Sequence, residues 1–193
     1  MAFDEIPFEE RAALLAGLVA PRPLAWIATR SPGGGGHNLA PFNSYAGLAN
    51  QPPLVGVSFS ERDGGPKDTL ANIEATGEFV LNVVTRSLAS LMNESAREAG
   101  RETDDFARLG LTPAPIAGVA VPRIAESPAA LACRVEAILP LPPSRCRLVV
   151  GRVVGVFAAP EYDVIGSEVL ASVGPLRYAT LAPDDFVLPK TWQ

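Results

Sequence analysis

Ser58-Phe59-Ser60-Glu61-Arg62-Asp63-Gly64-Gly65-Pro66-Lys67-Asp68-Thr69-Leu70 carries the chain from a strand, through a turn, into a helix. The apolar run Pro53 to Phe59 predicts the strand, and the two glycines predict the turn. Pro66 is expected at the first helical position, where the amide that proline lacks has no intrahelical partner anyway. The free N–H groups of that first turn, at the positive end of the helix dipole, attract an anion. Arg62 and Lys67 add full charges; Ser58, Ser60 and Thr69 add hydroxyl donors. The stretch has the chemistry of a phosphate cradle. The alternative for Arg62 and Lys67 is a solvated surface pair, as charged loop residues usually are.

On the N-terminal side, Phe8 to Ala16 predicts a short helix ending at Gly17, and Leu24 to Arg30 a β-rich strand containing Trp26. Ser31-Pro32-Gly33-Gly34-Gly35-Gly36 supplies a hairpin tip, read as a flexible loop, before a strand from His37 to Tyr45. The four glycines lack the spacing and the following helix of a dinucleotide fingerprint. Pro41, inside that second strand, removes a ladder donor and so implies an edge, a bulge or another pairing partner for the backbone. A flat heteroaromatic ring could lie there against exposed amides; a bulged edge without ligand is the other reading.

On the C-terminal side the helix is expected to run to Thr76, with Gly77 as a left-handed cap. A strand from Glu78 to Val84 and a helix from Ser87 to Ala96 with a hydroxyl cap follow. Gly100 to Arg108 is charged and expected as a surface excursion. Two long strands, Ala130 to Leu139 and Cys146 to Phe157, complete six. Many strands with few helices predict a barrel with helices at its rim.

Composition limits the chemistry. The 193 residues suit one domain, 1–193, with a sizeable core. A net charge of −5 and the lack of a basic run argue against nucleic acid. No apolar run reaches a membrane span, and no secretory signal is read, so a cytoplasmic protein is expected. His37 is the one histidine and Cys133 and Cys146 the only cysteines, which leaves no multi-ligand metal site. His37 itself is expected as an exposed turn residue. With so little side-chain chemistry available, an enzyme built on this chain needs an organic cofactor.

The ordered set of motifs resembles the flavin reductase-like, FMN-binding split-barrel family. They are Pro21-Arg22-Pro23-Leu24-Ala25-Trp26-Ile27, Asn38-Leu39-Ala40-Pro41-Phe42, Pro52-Pro53-Leu54-Val55 and Lys67-Asp68-Thr69-Leu70-Ala71-Asn72-Ile73. Thr76-Gly77-Glu78-Phe79-Val80-Leu81-Asn82, Gly110-Leu111-Thr112-Pro113, Ile124-Ala125-Glu126-Ser127-Pro128 and Val149-Val150-Gly151-Arg152-Val153 continue it. The resemblance implies a mainly β fold with flanking helices, a six-stranded antiparallel Greek-key split barrel, and a homodimer. It implies noncovalent FMN, with Ala40, Pro41, Phe42, Asn43, Ser44 and Tyr45 along the ring and ribityl chain. Ser58, Ser60, Arg62, Lys67, Asp68 and Thr69 would surround the phosphate, Asp68 by orienting Lys67 or Arg62 or by capping the helix. Tyr178 would approach from the partner subunit.

The implied activity is hydride transfer from NAD(P)H to the flavin, with a monooxygenase or other electron acceptor downstream and no catalytic side chain nominated. The chain departs from the family pattern at Arg145-Cys146-Arg147, where a His is common, and at Leu170 to Pro175, where an Arg precedes a Gly-Gly pair. Both regions bear on nicotinamide access, so an FMN-binding electron-transfer protein without nicotinamide-dependent activity is the alternative.

Overall fold

The computed structural model describes residues 2–61, 65–100, 102–164, 166–174 and 177–180. Its strands are β1 (Arg22–Pro23), β2 (Ala25–Arg30), β3 (His37–Phe42), β4 (Tyr45–Asn50), β5 (Pro53–Ser60) and β6 (Glu78–Asn82). They continue as β7 (Pro113–Ala114), β8 (Arg123–Ile124), β9 (Ala129–Leu141), β10 (Cys146–Ala158), β11 (Leu170–Ser172) and β12 (Tyr178–Thr180). The helices are α1 (Phe8–Leu18), α2 (Asp68–Thr76), α3 (Ala89–Ser95) and α4 (Asp105–Leu109).

Seven strands form one antiparallel sheet in the order β3-β2-β6-β9-β10-β5-β4. β3 and β4 therefore lie at opposite edges, although only Asn43 and Ser44 separate them in the chain. Three Cα steps reach about 11 Å at most, so the sheet has to curl until its two edges meet. No ladder joins those edges; the closure is covalent, reinforced by the Ser58 N–H donating to the Ser44 carbonyl at 2.8 Å. That seam is the split of a split barrel. The expected sixth-strand count becomes seven here, because the predicted His37–Tyr45 strand breaks at Asn43-Ser44 and resumes as β4 on the far edge.

Alternation along the strands separates two cores. Ile27, Val55, Val57, Phe59, Phe79, Leu81, Cys133 and Val149 point into the barrel, and Leu70 and Ile73 of α2 close one end. Trp26, Ala28, Leu39 and Val80 point outward and are covered by Leu88, Met92 of α3 and Phe106 and Leu109 of α4. Burying each large side chain stabilises by about 1.5–3 kcal/mol. β2 is buried on both faces, which is why its sequence shows no polar alternation. The Trp26 indole still needs an acceptor, and it donates to Ser95 Oγ at 2.9 Å.

Several local expectations need correction. α2 starts at Asp68 rather than Pro66; Lys67, at φ −62° and ψ 156°, is the N-cap. Gly77 does adopt the left-handed cap, at φ 69°. The predicted Ser87 helix is a 3-10 turn (Arg86–Leu88) leading into α3, and its hydroxyls bond each other rather than the helix amides: Thr85 Oγ1 lies 2.9 Å from Ser87 Oγ. The charged stretch from Gly100 holds α4, capped by Asp104, whose Oδ1 accepts from the Phe106 and Ala107 amides at 2.9 and 3.2 Å. Among the described residues no helix is long and apolar enough to cross a membrane.

Candidate functional site

A cavity of about 950 Å³ opens where the two sheet edges meet, at the upper end of the ~300–1,000 Å³ range for ligand and cofactor sites. One side is the seam itself: Ala40, Pro41 and Phe42 at the end of β3, then Asn43 and Ser44. The other is the start of α2 with the end of β5: Lys67, Asp68 and Thr69 beside Ser58 and Ser60. Eleven of the residues expected at the site thus share one cavity, Tyr178 included.

Local structure explains how they converge. The β2–β3 hairpin flanks α2: Asn38 Nδ2 donates to Thr69 Oγ1 at 2.8 Å, and Asn72 Nδ2 to Thr29 Oγ1 at 3.1 Å. This side-chain pair fixes the α2 N-terminus against the seam, although Asn38 and Thr69 are 31 residues apart. On β5, Val57 and Phe59 point into the barrel, so Ser58 and Ser60 must take the outer face, toward the cavity. The small sheet β1-β11-β12 brings Tyr178 to the rim. Tyr178 therefore borders the cavity of its own chain.

One expected residue falls elsewhere. Tyr45 pairs with Val57 and packs with the barrel-interior cluster, not in the cavity. Burial there pushes its phenol above the ordinary range, with Tyr162 and Cys133 adding to the effect. Arg62 lies outside the described residues. Phe42 serves both sides, lining the cavity while its ring meets Phe59 at 4.6 Å.

The exposed-amide idea for the second strand also changes. The outward amides of β3 are already taken. The His37 N–H donates to Asp104 Oδ2 at 3.2 Å and the Leu39 N–H to Asp105 Oδ2 at 2.8 Å, while Pro41 has none. Amides available to a ring begin only at the Asn43-Ser44 link. Pro41 sits on an edge strand, as a proline within a strand requires.

Sequence reasoning missed a third wall. Ser31, Pro32, Gly33 and Gly35 of the hairpin tip, residues 95–100, Glu102 and Thr103 also line the cavity. The tip is docked rather than a free loop: a Cβ at Gly35 would lie 2.6 Å from Glu102 Oε2. His37 is likewise not an exposed turn residue. Its ring is half-buried, with Nδ1 2.9 Å from Asp104 Oδ2 and an edge-on contact to Phe106. Burial raises the Asp104 pKa, but hydrogen bonds from His37 and the Ala107 amide outweigh it and hold the carboxyl below its ordinary value. His37 does not line the cavity. Cys133 is buried and its thiol pushed up to about 12 by desolvation, so it supplies no thiolate near neutral pH. Among the described residues no cluster has the makings of a metal site.

An antiparallel barrel split along one seam, with a helix terminus beside it, is the architecture of a flavin-binding oxidoreductase-type protein. The chain belongs to the flavin reductase-like domain family, whose model matches residues 18–172. It is 38% identical over 156 residues to a protein of Deinococcus radiodurans, covering 79% of this chain and 68% of that one. The chain spans about two thirds of the length of the curated relatives it matches. Among solved structures it resembles nitrilotriacetate monooxygenase component B from Bacillus cereus, at 28% identity, TM-score 0.90 and 97% coverage of both chains. An FMN-binding protein from Thermus thermophilus shares the fold at 22% identity and TM-score 0.71, with 89% of this chain and 93% of that one covered.

Proposed function

We propose that the chain binds FMN noncovalently in the seam cavity and works as an NAD(P)H-dependent flavin reductase-type oxidoreductase. The observation that carries this reading is the pairing of two unlike surfaces in one cavity. The α2 N-terminus, with Lys67, Thr69, Ser58 and Ser60, fits a phosphate, and the seam from Ala40 to Ser44, with Phe42, fits a flat ring. Asp68 repels an anion directly; at the first helical position it interacts favourably with the dipole.

When bound, the flavin accepts a hydride and passes electrons on singly or in pairs. The chain's part is to hold and shield it. Ser58 and Ser60 would donate hydroxyl bonds and Lys67 would supply charge, with Thr69 kept in place by Asn38, while Tyr178 with the wall of residues 95–100, Glu102 and Thr103 would limit access. No general acid or base is assigned, and the engagement of His37 by Asp104 is consistent with that.

The Bacillus cereus protein, by its name a monooxygenase component, supports a monooxygenase or other electron acceptor as partner. A homodimer is supported by an apolar outer face next to the cavity. Leu48 and Leu139 are about half exposed, and Leu48 and Leu148 both reach over Gly56, 2.8 and 3.2 Å from the position of a Cβ there. Leu148 pairs with Ser58 on one side and Leu139 on the other, so this face is continuous with the serines of the site.

The test is anaerobic mixing of the FMN-loaded protein with NADH or NADPH, followed at the flavin absorption band. Bleaching within a turnover is expected. A yellow protein that ignores both donors points to the electron-transfer alternative, which the departures at Arg145-Cys146-Arg147 and at Leu170 to Pro175 favour. A protein that takes up no FMN overturns the reading.

A further inference from the structure

We propose that Arg147 is a positioning residue for the anion end of the cavity, a role that rests on reading that end as a phosphate site. Arg147 stands opposite Phe59 in the β5–β10 ladder, so its side chain leaves the sheet on the side that α2 covers. There one guanidinium meets two carboxylates. Its Nη2 lies 2.6 Å from Glu61 Oε1, and its Nη1 bonds Glu74 Oε1. Glu61 directly follows Ser60, and its own N–H donates to the Arg145 carbonyl at 3.2 Å. Glu74 lies in the second turn of α2.

The segment between these two carboxylates contains Lys67 and Thr69, and Ser60 adjoins it. Arg147 thus ties the point where the chain leaves β5 to the body of the helix it enters. On its opposite flank α2 is held by the Asn38–Thr69 and Asn72–Thr29 bonds to the β2–β3 hairpin. The helix is therefore held on two flanks, by ion pairs on the Arg147 side and by neutral amide–hydroxyl bonds on the other. The planar guanidinium suits this bridge, since it presents separate N–H groups to two acceptors at once. It also compensates two acidic groups next to a place built for an anion.

Partly exposed ion pairs add little to folding stability. Loss of Arg147 is therefore expected to show in phosphate binding while leaving the melting temperature nearly unchanged. Displacing a binding group by an ångström has large consequences for a ligand held by geometry.

The experiment titrates full-length protein, cleared of flavin, with FMN and with riboflavin, for wild type, Arg147→Met, Arg147→Lys and Glu74→Gln. Arg147→Met is expected to bind FMN about tenfold more weakly, with riboflavin little changed. Arg147→Lys should recover part of the loss, because an ammonium bridges two carboxylates less well. If wild type binds FMN no better than riboflavin, the phosphate reading falls and takes this proposal with it. If wild type prefers FMN and Arg147→Met keeps that preference, or loses both ligands equally, the positioning role is overturned and the phosphate site stands. Should Arg147→Met not fold, Glu74→Gln decides: an unchanged FMN-to-riboflavin ratio overturns the proposal.

Discussion

The two edges of the sheet, β3 and β4, meet at the same seam yet are finished in opposite ways. β3 is closed chemically. Its outward amides at His37 and Leu39 bond the carboxylates of Asp104 and Asp105, and Pro41 offers none. Among the described residues β4 has no such cover: Ala46 through Asn50 are exposed, with Leu48 at 49%. An unprotected edge invites pairing or burial. One edge is therefore sealed from within the chain, and the other is where the proposed homodimer would form. The sealing segment also walls the cavity, through residues 95–100, Glu102, Thr103 and Asp105, so protection of the edge and shape of the site come from the same segment.

The largest expected effect breaks the sealed edge. Asp105→Ala strips the acceptor from the buried Leu39 amide and the partner from Arg108, 2.8 Å away. It should cost about 2–4 kcal/mol, a fall in melting temperature of roughly 5–15 °C for a chain of this size, read by thermal denaturation.

Next comes the proposed anion end, at the start of α2 against the β2–β3 hairpin. Lys67→Ala should weaken FMN binding by about 1.5–3 kcal/mol and riboflavin binding far less, measured by fluorescence titration. Equal losses for the two would remove Lys67 from the phosphate.

Asp104 sharpens the sealed side through pH. Its folded pKa lies below the ordinary value of 3.8, so its carboxylate stabilises the fold above that value and ceases to do so as pH falls through the folded pKa. Asp104→Ala should lose about 1–2 kcal/mol at neutral pH. The gap from wild type should close in strong acid; denaturant titrations at both pH values check it.

The smallest effect is expected on the open edge. Leu48→Glu should change monomer stability by no more than about 0.5 kcal/mol, yet shift the protein toward monomer in analytical ultracentrifugation. A stable dimer carrying Leu48→Glu would place the interface elsewhere.

What could be read from the residues follows the range of the forces involved. The strands and α2 were legible because alternation, proline placement and a left-handed glycine are local constraints. The cavity wall formed by Ser58, Ser60, Lys67, Asp68 and Thr69 was legible because a strand end and a helix start lie within thirteen residues, Ser58 to Leu70. β4 was not, since its exposed, weakly apolar sequence carries no alternation to separate it from the strand before it. Tyr45 was misplaced for the same reason: a break at Asn43-Ser44 turns it onto a new strand and into the core.

By itself, then, the sequence determined the antiparallel β class and the convergence of a strand end, a turn and a helix start in one short stretch. Both depend on residue type and near-neighbour spacing. Only the tertiary structure decided that β3 and β4 are opposite edges of one curled sheet and that the glycine tip, residues 95–100, Glu102 and Thr103 wall the cavity. It alone also showed His37 and Arg147 spent on carboxylates far along the chain. Those are contacts between residues tens of positions apart. Their geometry is set by how the whole sheet curls and packs, which no local pattern encodes.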